Sequence, residues 1–229
     1  MPTGREIMER AGILLADEEH VRWPLPELCG AINEGVKAIL LAKPNACTET
    51  RAISLVEGTL QTVPASAPTP LRLLDIVCNL SQATPSRVRG RMVTPTDRAL
   101  LDSHEPHWHD RRYVPFRKEV QNFTFDEENP LAFYVVPGNN GQGIVEALLS
   151  VLPAALTASG DVDNIASYEG AIGLPEPYTV PLTDFVLSRA HGKDSTDGSL
   201  ARANDHYAKF AAALGLKAQV DAASSPNRR

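Results

Sequence analysis

Apolar positions in the first part of the chain recur every three or four residues, the spacing of one face of a helix. This spacing predicts an amphipathic helix that ends before Pro44, because proline cannot continue a helix interior. A shorter helix is predicted ahead of it, to about Asp17, since Thr3 and Glu6 have the spacing of a capping box. The apolar residues of the longer helix are Leu25, Leu28, Ile32, Val36, Ile39 and Leu40.

The middle of the chain changes to the two-residue period of strands. Two β-rich runs at 50–64 flank Glu57 and Gly58 and predict a hairpin. Residues 71–80 predict a buried strand, and residues 87–93 predict a more exposed one. Thr96 or Asp97 is expected to cap a short helix that runs through Ser103. The strongest hairpin is predicted at 119–137, around an acidic turn, and a further strand at 143–153.

Helical spacing returns near the C-terminus, where two amphipathic helices are predicted. Pro177 and Pro181 predict an irregular start for the first, and Gly215 is expected to end the second. The order of helices, strands and helices indicates an α+β chain in which the terminal helices form a bundle and the β-rich middle projects as an insertion. The predicted parts are a helical body (1–45 and 175–216), a β-rich insertion with a short helix (46–156), a long loop (157–174) and a flexible tail (217–229).

Composition narrows the class of protein. The chain has 229 residues, of which 43% are hydrophobic, so a packed core can form. No apolar run approaches the ~20 residues of a membrane span, and the first residues lack an apolar signal core, so neither a membrane nor export is expected. Three scattered cysteines predict reduced thiols. A net charge of −6 argues against a dedicated DNA-binding protein, although an acidic surface permits DNA to slide past.

Three histidines, His104, His107 and His109, occur within six positions and raise the question of a metal site. One hypothesis is a small metal-dependent hydrolase built on them. The spacing matches no established zinc pattern, and Pro106 and Trp108 interrupt any helix that would align the imidazoles. The other interpretation is a loop in which Trp108 anchors into the protein while the imidazoles lie at the surface or at a subunit contact. No metal or other cofactor is expected from this second interpretation.

Two further motifs resemble sites that carry chemistry. The glycines at 138–143 lack the lysine and the Ser/Thr of a phosphate-binding loop, so a hairpin turn is predicted there. The basic run at 111–118 includes Tyr113 and Phe116, a combination that suits nucleic acid. A DNA-binding module centred on this run is therefore a third hypothesis. A strand edge or a contact with an acidic neighbour explains the run equally well.

Several blocks in order resemble the head-to-tail adaptor (head completion, or neck) proteins of tailed bacteriophages. The first is "RWPLPELCGAINEGVKAILLAKPNA", followed by "GTLQTVP" and "LRLLDIVCNL". The next are "ALLDSHEPHWH" and "FTFDEENPLAFYVVP". The last are "LTDFVLSRAHGKDS" and "ARANDHYAKFAAALG", so the blocks cover most of residues 20–216. In this resemblance, residues 107–109 match a Trp-His contact motif and not a metal centre.

The resemblance implies a non-enzymatic structural protein of the virion neck, assembled in the host cytoplasm. Such proteins form a ring, usually of twelve copies, below the portal. The expected partners are other copies of the chain, the portal protein, tail or nozzle proteins, and double-stranded DNA that passes through the lumen without sequence-specific binding.

Two groups of contact residues are expected. Exposed apolar patches are rare on monomers, so the aromatic hairpin is expected at a subunit or tail contact. That contact set is His107, Trp108, His109, Phe123, Phe125, Phe133 and Tyr134. The C-terminal segment is expected to contact the portal through Pro226, Asn227, Arg228 and Arg229.

Overall fold

The computed structural model describes residues 1–83, 87–126, 128–193 and 197–224. Within these ranges the chain forms five α-helices and two four-stranded sheets, which confirms the α+β class. The helices are α1 (Gly4–Leu15), α2 (Leu25–Ala42), α3 (Arg98–His104), α4 (Thr179–Gly192) and α5 (Asp197–Ser224). The strands are β1 (Thr48–Ser54), β2 (Glu57–Thr62), β3 (Thr69–Gln82), β4 (Val88–Met92), β5 (Thr94–Pro95), β6 (Asn122–Phe125), β7 (Ala132–Asn140) and β8 (Ile144–Leu152).

The chain divides into two compact units. The helical unit consists of residues 1–47 and 153–229 and contains α1, α2, α4 and α5. The β unit consists of residues 48–152 and contains both sheets and α3.

The first helix begins as its sequence predicts. The Thr3 hydroxyl accepts a hydrogen bond from the Glu6 backbone N–H at 3.3 Å, and the Glu6 carboxylate accepts one from the Thr3 N–H at 2.9 Å. These two bonds satisfy donors that the first turn of a helix cannot pair internally. The capping box is therefore confirmed, and α1 ends at Leu15, two residues before Asp17.

The core of the helical unit is built around α4, on which α1, α2 and α5 all pack. A Cβ at Gly35 of α2 would lie 2.5 Å from Leu182 and 2.9 Å from Phe185, so this glycine permits close approach of α2 to α4. The rings of Phe185 and Phe210 meet edge to face, with centroids 5.1 Å apart, where α4 packs on α5. The loop at 157–174 contains one 3-10 turn, and its Gly170 carbonyl accepts from Gly4 at the start of α1.

The prediction that the last helix ends at Gly215 is wrong. Helix α5 continues to Ser224 and therefore includes most of the segment expected to be a flexible tail. A glycine inside a helix costs only about 1 kcal/mol relative to alanine. The residues that follow it, "LKAQ", are good helix formers that offset this cost.

The hairpin predicted around Glu57 and Gly58 is also wrong. Strands β1 and β2 do not pair with each other; β1 pairs antiparallel with β8, and β2 pairs antiparallel with β7. Residues 48–62 thus run in one direction against residues 132–152, and the two halves of this ribbon belong to different sheets. The sheet orders are β1-β8-β3-β4 and β2-β7-β6-β5. For the same reason the glycines at 138–143 connect strands of two sheets and do not close a hairpin.

The bend in this ribbon is stabilised by the buried side chain of Gln61. Its oxygen accepts from the Val56 N–H at 2.8 Å, and its nitrogen donates to the carbonyls of Val56 and Gly58 at 2.9 and 3.0 Å. Backbone groups that leave a strand ladder need other partners when they are buried. Gln61 supplies three of these hydrogen bonds, so the chain bends at this point without reversing.

The predicted hairpin at 119–137 is confirmed as β6 and β7, paired from Asn122 opposite Val136 to Phe125 opposite Phe133. The buried strand expected at 71–80 lies within β3, and the more exposed strand expected at 87–93 contains β4, whose five residues are all exposed.

Candidate functional site

The histidine segment (residues 104–109) begins at the last residue of α3 in the β unit. The start of α3 is fixed by a cap. The Asp97 carboxylate accepts a hydrogen bond from the Ala99 N–H at 2.7 Å, so the predicted cap is confirmed for Asp97. The Arg98 guanidinium lies over the Tyr134 ring, 5.0 Å from its centroid. This cation–π contact attaches α3 to the β2-β7-β6-β5 sheet.

Trp108 anchors the segment that follows α3. Its side chain is fully buried, and its indole N–H donates to the Asp102 carboxylate at 2.9 Å. Its ring meets the Tyr134 ring edge-on, with centroids 5.9 Å apart. The interpretation in which Trp108 anchors a loop is therefore confirmed. Because its own unit covers this side chain, a contact between Trp108 and a neighbouring molecule remains untested and requires the segment to move.

The three imidazoles lie in three different environments. His107 stacks on the exposed Tyr113 ring, with centroids 4.3 Å apart. His109 lies against Trp108, and its Nδ1 is 2.9 Å from the Thr59 hydroxyl. His104 is exposed as the last residue of α3. The segment thus holds each ring through a separate contact and does not direct the three toward one point.

The environment of His109 favours its neutral form. Burial lowers the pKa of this imidazole, and the nearby Arg98 cation lowers it further, while Asp102 opposes the shift. A neutral imidazole has one donor and one acceptor nitrogen, so it can share a single hydrogen bond with the Thr59 hydroxyl. His109 therefore contributes packing and one hydrogen bond at neutral pH.

The metal-dependent hydrolase is not favoured by this arrangement. Among the residues that the structure describes, no group of three His, Cys, Asp or Glu side chains is placed to hold a metal ion. A zinc site needs three or four ligands that converge on the metal at about 2 Å.

The aromatic contact set is partly buried. Phe123 and Phe133 are fully buried within the β unit. Phe125 is 40% exposed and meets Phe123 edge to face, while Tyr134 is half-buried. Phe123 and Phe133 are thus covered by their own unit, since most residues of β7 and both central residues of β6 are buried. A contact through Phe125, His107 and His109 stays a prediction.

An acidic groove of about 830 Å³ opens beside α3 and the tip of the β6–β7 hairpin. The Asp102 carboxylate lies 3.8 Å from the Arg98 guanidinium, and the Asp126 carboxylate accepts from the Glu128 N–H. The side chains of Asp97, Arg98, Asp102 and Asp126 thus each make a contact within the β unit. Its charged lining consists of Asp97, Arg98, Asp102, Asp126 and Glu128.

The glycine-rich turn at 138–143 is organised by Asn139, a residue that the sequence did not single out. The Asn139 side chain is fully buried, and its oxygen accepts from the N–H groups of Gly141 and Gly143 at 2.8 and 3.0 Å. Its nitrogen donates to the carbonyls of Arg117 and Lys118 at 3.2 and 2.8 Å. The N–H groups that could hold a phosphate are therefore already bound within the protein.

A buried carboxylate in the β unit was also not identified from the sequence. Glu146 lies inside β8, and it accepts hydrogen bonds from Arg89 at 2.9 and 3.3 Å and from Arg87 at 3.2 Å. The hydrogen bond from Arg89 is the main cause that lowers the pKa of Glu146, against the opposing effect of burial. An acidic residue in an apolar strand pattern is the one sequence signal that could have revealed it.

The basic run at 111–118 forms part of the same unit. Arg111 is ion-paired with Glu57 at 2.6 Å, and its guanidinium lies 6.0 Å from the Phe116 ring centroid. A Cβ at Gly138 would lie 2.5 Å from the Phe116 ring, so this ring packs against β7. One cation and one aromatic of the proposed nucleic-acid motif are thus used in contacts within the unit.

The predicted portal contact cannot be placed on this fold. Pro226, Asn227, Arg228 and Arg229 lie outside the described residues.

His107, His109, Arg111 and the glycine-rich turn at 138–143 each make contacts within the protein. The family model of the SU10 adaptor protein matches residues 2–229. The chain belongs to this family of phage head–tail adaptors, which implies a structural component of the virion. No match was found among curated proteins. Within the part of the chain that the structure describes, every helix is too short or too polar to cross a membrane.

Proposed function

We propose that this chain forms a closed ring of twelve copies in the neck of a tailed phage. The ring binds the portal on one side, presents a platform for tail or nozzle proteins on the other, and aligns the DNA exit channel. The observation that carries this proposal is the family match along nearly the whole chain. A ring of identical copies needs two unlike surfaces on each copy that meet head to tail.

The charge of the chain supports a passive DNA channel. The net charge is −6, and an acidic lining repels phosphates at short range, so DNA slides past without being gripped. At physiological salt this repulsion is screened over about 8 Å. Double-stranded DNA is therefore a passing partner of the ring, with no sequence-specific contact.

The C-terminal residues Pro226, Asn227, Arg228 and Arg229 are proposed to contact the portal. The two arginines offer planar guanidinium groups that pair well with carboxylates of a partner. Removing residues 226–229 is expected to weaken portal binding, and replacing only Arg228 and Arg229 by alanine separates the effect of charge from that of length. Binding is measured by co-sedimentation with portal rings of the same phage.

The exposed part of the histidine segment is proposed as a subunit or tail contact. His107 and Tyr113 form a stacked pair at the surface, where Tyr113 is 65% exposed. Exposed aromatic rings with a polar group are frequent anchors of protein interfaces. Replacing Tyr113 by serine should reduce tail attachment, while the folded protein keeps its stability.

The ring is tested by negative-stain imaging of the purified protein, alone and after mixing with portal rings of the same phage. Closed rings on the portal are the expected result, and portal rings of an unrelated phage serve as the control. Particles that remain single copies with both portals would contradict the proposal.

A further inference from the structure

A groove of about 730 Å³ lies in the helical unit, where α2, α4 and α5 meet. Its floor is apolar, with Ala38 of α2 and the buried ring of Phe185 on α4. On α5 two large side chains of its wall, Leu200 and Tyr207, are each 56% exposed. This combination leaves an apolar surface that the helical unit does not cover itself.

A second apolar surface lies at the end of α1 and in the loop that follows it. Ile13 is 64% exposed, Leu14 is 57% exposed and Val21 is 77% exposed. The loop is held rigidly, since the Asp17 carboxylate accepts from the backbone N–H groups of Val21, Arg22 and Trp23 at 2.9–3.0 Å. The exposed apolar side chains therefore stand on a segment of fixed conformation, which we name the α1 knob (residues 13–21).

The two surfaces differ in residues and charge and lie on different helices. One is walled by α5, the other lies at the end of α1 and in the loop after it, and α1 and α5 each pack on α4. A surface that matches only an unlike surface cannot pair with itself, so it makes a head-to-tail contact. Contacts of that kind generate rings when the rotation between copies closes.

The charges at the two surfaces are complementary. The groove carries Lys37 and Arg189 against one acid, Glu34, which is paired with Arg189 at 2.9 Å. The α1 knob carries the exposed Glu18 and Glu19 beside its apolar residues. Opposite charges around apolar contacts favour one docking orientation over others.

We infer that the α1 knob of one copy docks in the α2–α4–α5 groove of the next copy, and that this contact closes the ring. The inference rests on the ring proposed above and names its lateral interface. Exposed apolar side chains on the knob and the groove wall then become buried between copies. Each copy contributes one knob and one groove, so the contact extends beyond two copies.

Paired cysteines test this contact directly. The variants are Leu14→Cys with Tyr207→Cys, and Ile13→Cys with Leu200→Cys, each on the full chain and treated with a short bismaleimide, alone and bound to the portal. All four positions are more than half exposed, so both double variants should fold. We expect a ladder of covalent dimers, trimers and larger products on denaturing gels. Mixtures of the single variants should stop at dimers, because each copy then has one reactive side.

The controls define the background of the reaction. Cys29 and Cys78 are buried and Cys47 is half-buried, so the unmodified chain measures crosslinking by native thiols. Leu14→Cys with Val180→Cys places the second thiol on an exposed site of α4 that does not line the groove. This variant should give no ladder above the unmodified chain.

The outcomes separate the interface from the ring. If imaging shows closed rings and both double variants crosslink no more than the unmodified chain, the docking is wrong and the ring stands. If neither rings nor ladders form on the portal, the ring itself is contradicted. A Leu14→Asp variant provides a second measurement, since it should raise the concentration needed for assembly by about tenfold or more.

Discussion

The interior of the helical unit and the interior of the β unit are stabilised by different kinds of contact. The β unit relies on buried polar side chains, and Gln61, Asn139 and Glu146 each satisfy several hydrogen-bonding groups inside it. The helical unit relies more on apolar contacts, such as that between Phe185 and Phe210. Polar residues that suggest chemistry in a sequence therefore have structural roles in the β unit.

The two units can be followed separately, because each contains one of the two tryptophans of the chain. Trp23 lies in the helical unit and Trp108 in the β unit, and both are buried. Replacing either one by phenylalanine leaves a fluorescence signal for the other unit. Denaturant unfolding of these two variants then reports on one unit at a time.

The largest effect is expected from Phe210→Ala in the helical unit. Phe210 is buried against Phe185, and loss of a buried phenylalanine ring costs about 3–5 kcal/mol of unfolding free energy. Trp23 fluorescence should report this loss. The neighbouring Tyr207→Ala is the control, because that ring is mostly exposed and its loss should cost less than about 1 kcal/mol. Equal effects of the two substitutions would contradict the packing of α5 on α4.

Asn139→Ala should destabilise the β unit by about 3 kcal/mol, because it leaves several buried backbone groups without partners. The unfolding transition that Trp108 fluorescence reports should shift to a lower denaturant concentration. The adjacent Asn140→Ala removes one hydrogen bond, to the Gln142 N–H, and should cost about 1 kcal/mol or less. If Asn139→Ala behaves like Asn140→Ala, the turn is not organised as described.

Glu146→Gln should change the dependence of stability on pH. The pKa of Glu146 is lowered in the folded state, chiefly by the hydrogen bond from Arg89. Its stabilising contribution is therefore complete above the unfolded pKa of about 4.3 and is lost as pH falls through the lower folded pKa. The wild type should be more stable than the variant by about 1–2 kcal/mol at pH 7, and the difference should shrink below about pH 4. A difference that is constant from pH 7 to pH 3 would show that the carboxylate is not paired in this way.

The smallest effect is expected at the histidines. His107→Ala removes an exposed stacking contact and should change the unfolding free energy by no more than about 0.5 kcal/mol. A chelator should leave the melting temperature unchanged, and elemental analysis should find no stoichiometric zinc. Stoichiometric metal that is lost in His107→Ala would instead restore the hydrolase hypothesis.

Local signals in the sequence were sufficient for several elements. The capping box of Thr3 and Glu6, the apolar period of α2, and the apolar runs on both sides of the turn between β6 and β7 each depend on neighbours close in the chain. The pairing of β1 with β8 joins residues about a hundred positions apart, and no local pattern specifies it. Gly215 gave a misleading signal, because good helix formers follow it.

The candidate site was predicted only in part, because some of its contacts also join residues that are distant in the chain. Trp108 as an anchor follows from its size and apolar character, whereas the roles of Asn139 and Glu146 depend on which strands surround them. The burial of Phe123 and Phe133 was missed, since alternation alone does not show which face of a sheet is covered. Fewer aromatic residues of β6 and β7 are therefore exposed than the sequence indicated.

The central claim is that identical copies of this chain assemble into a ring. Native mass spectrometry of the protein released from its portal tests this claim most directly. The account predicts one dominant species whose mass is a fixed multiple of the 24.8 kDa chain, close to twelve, at all concentrations used. A spectrum that contains only the single chain, at concentrations where the portal is saturated, would contradict it.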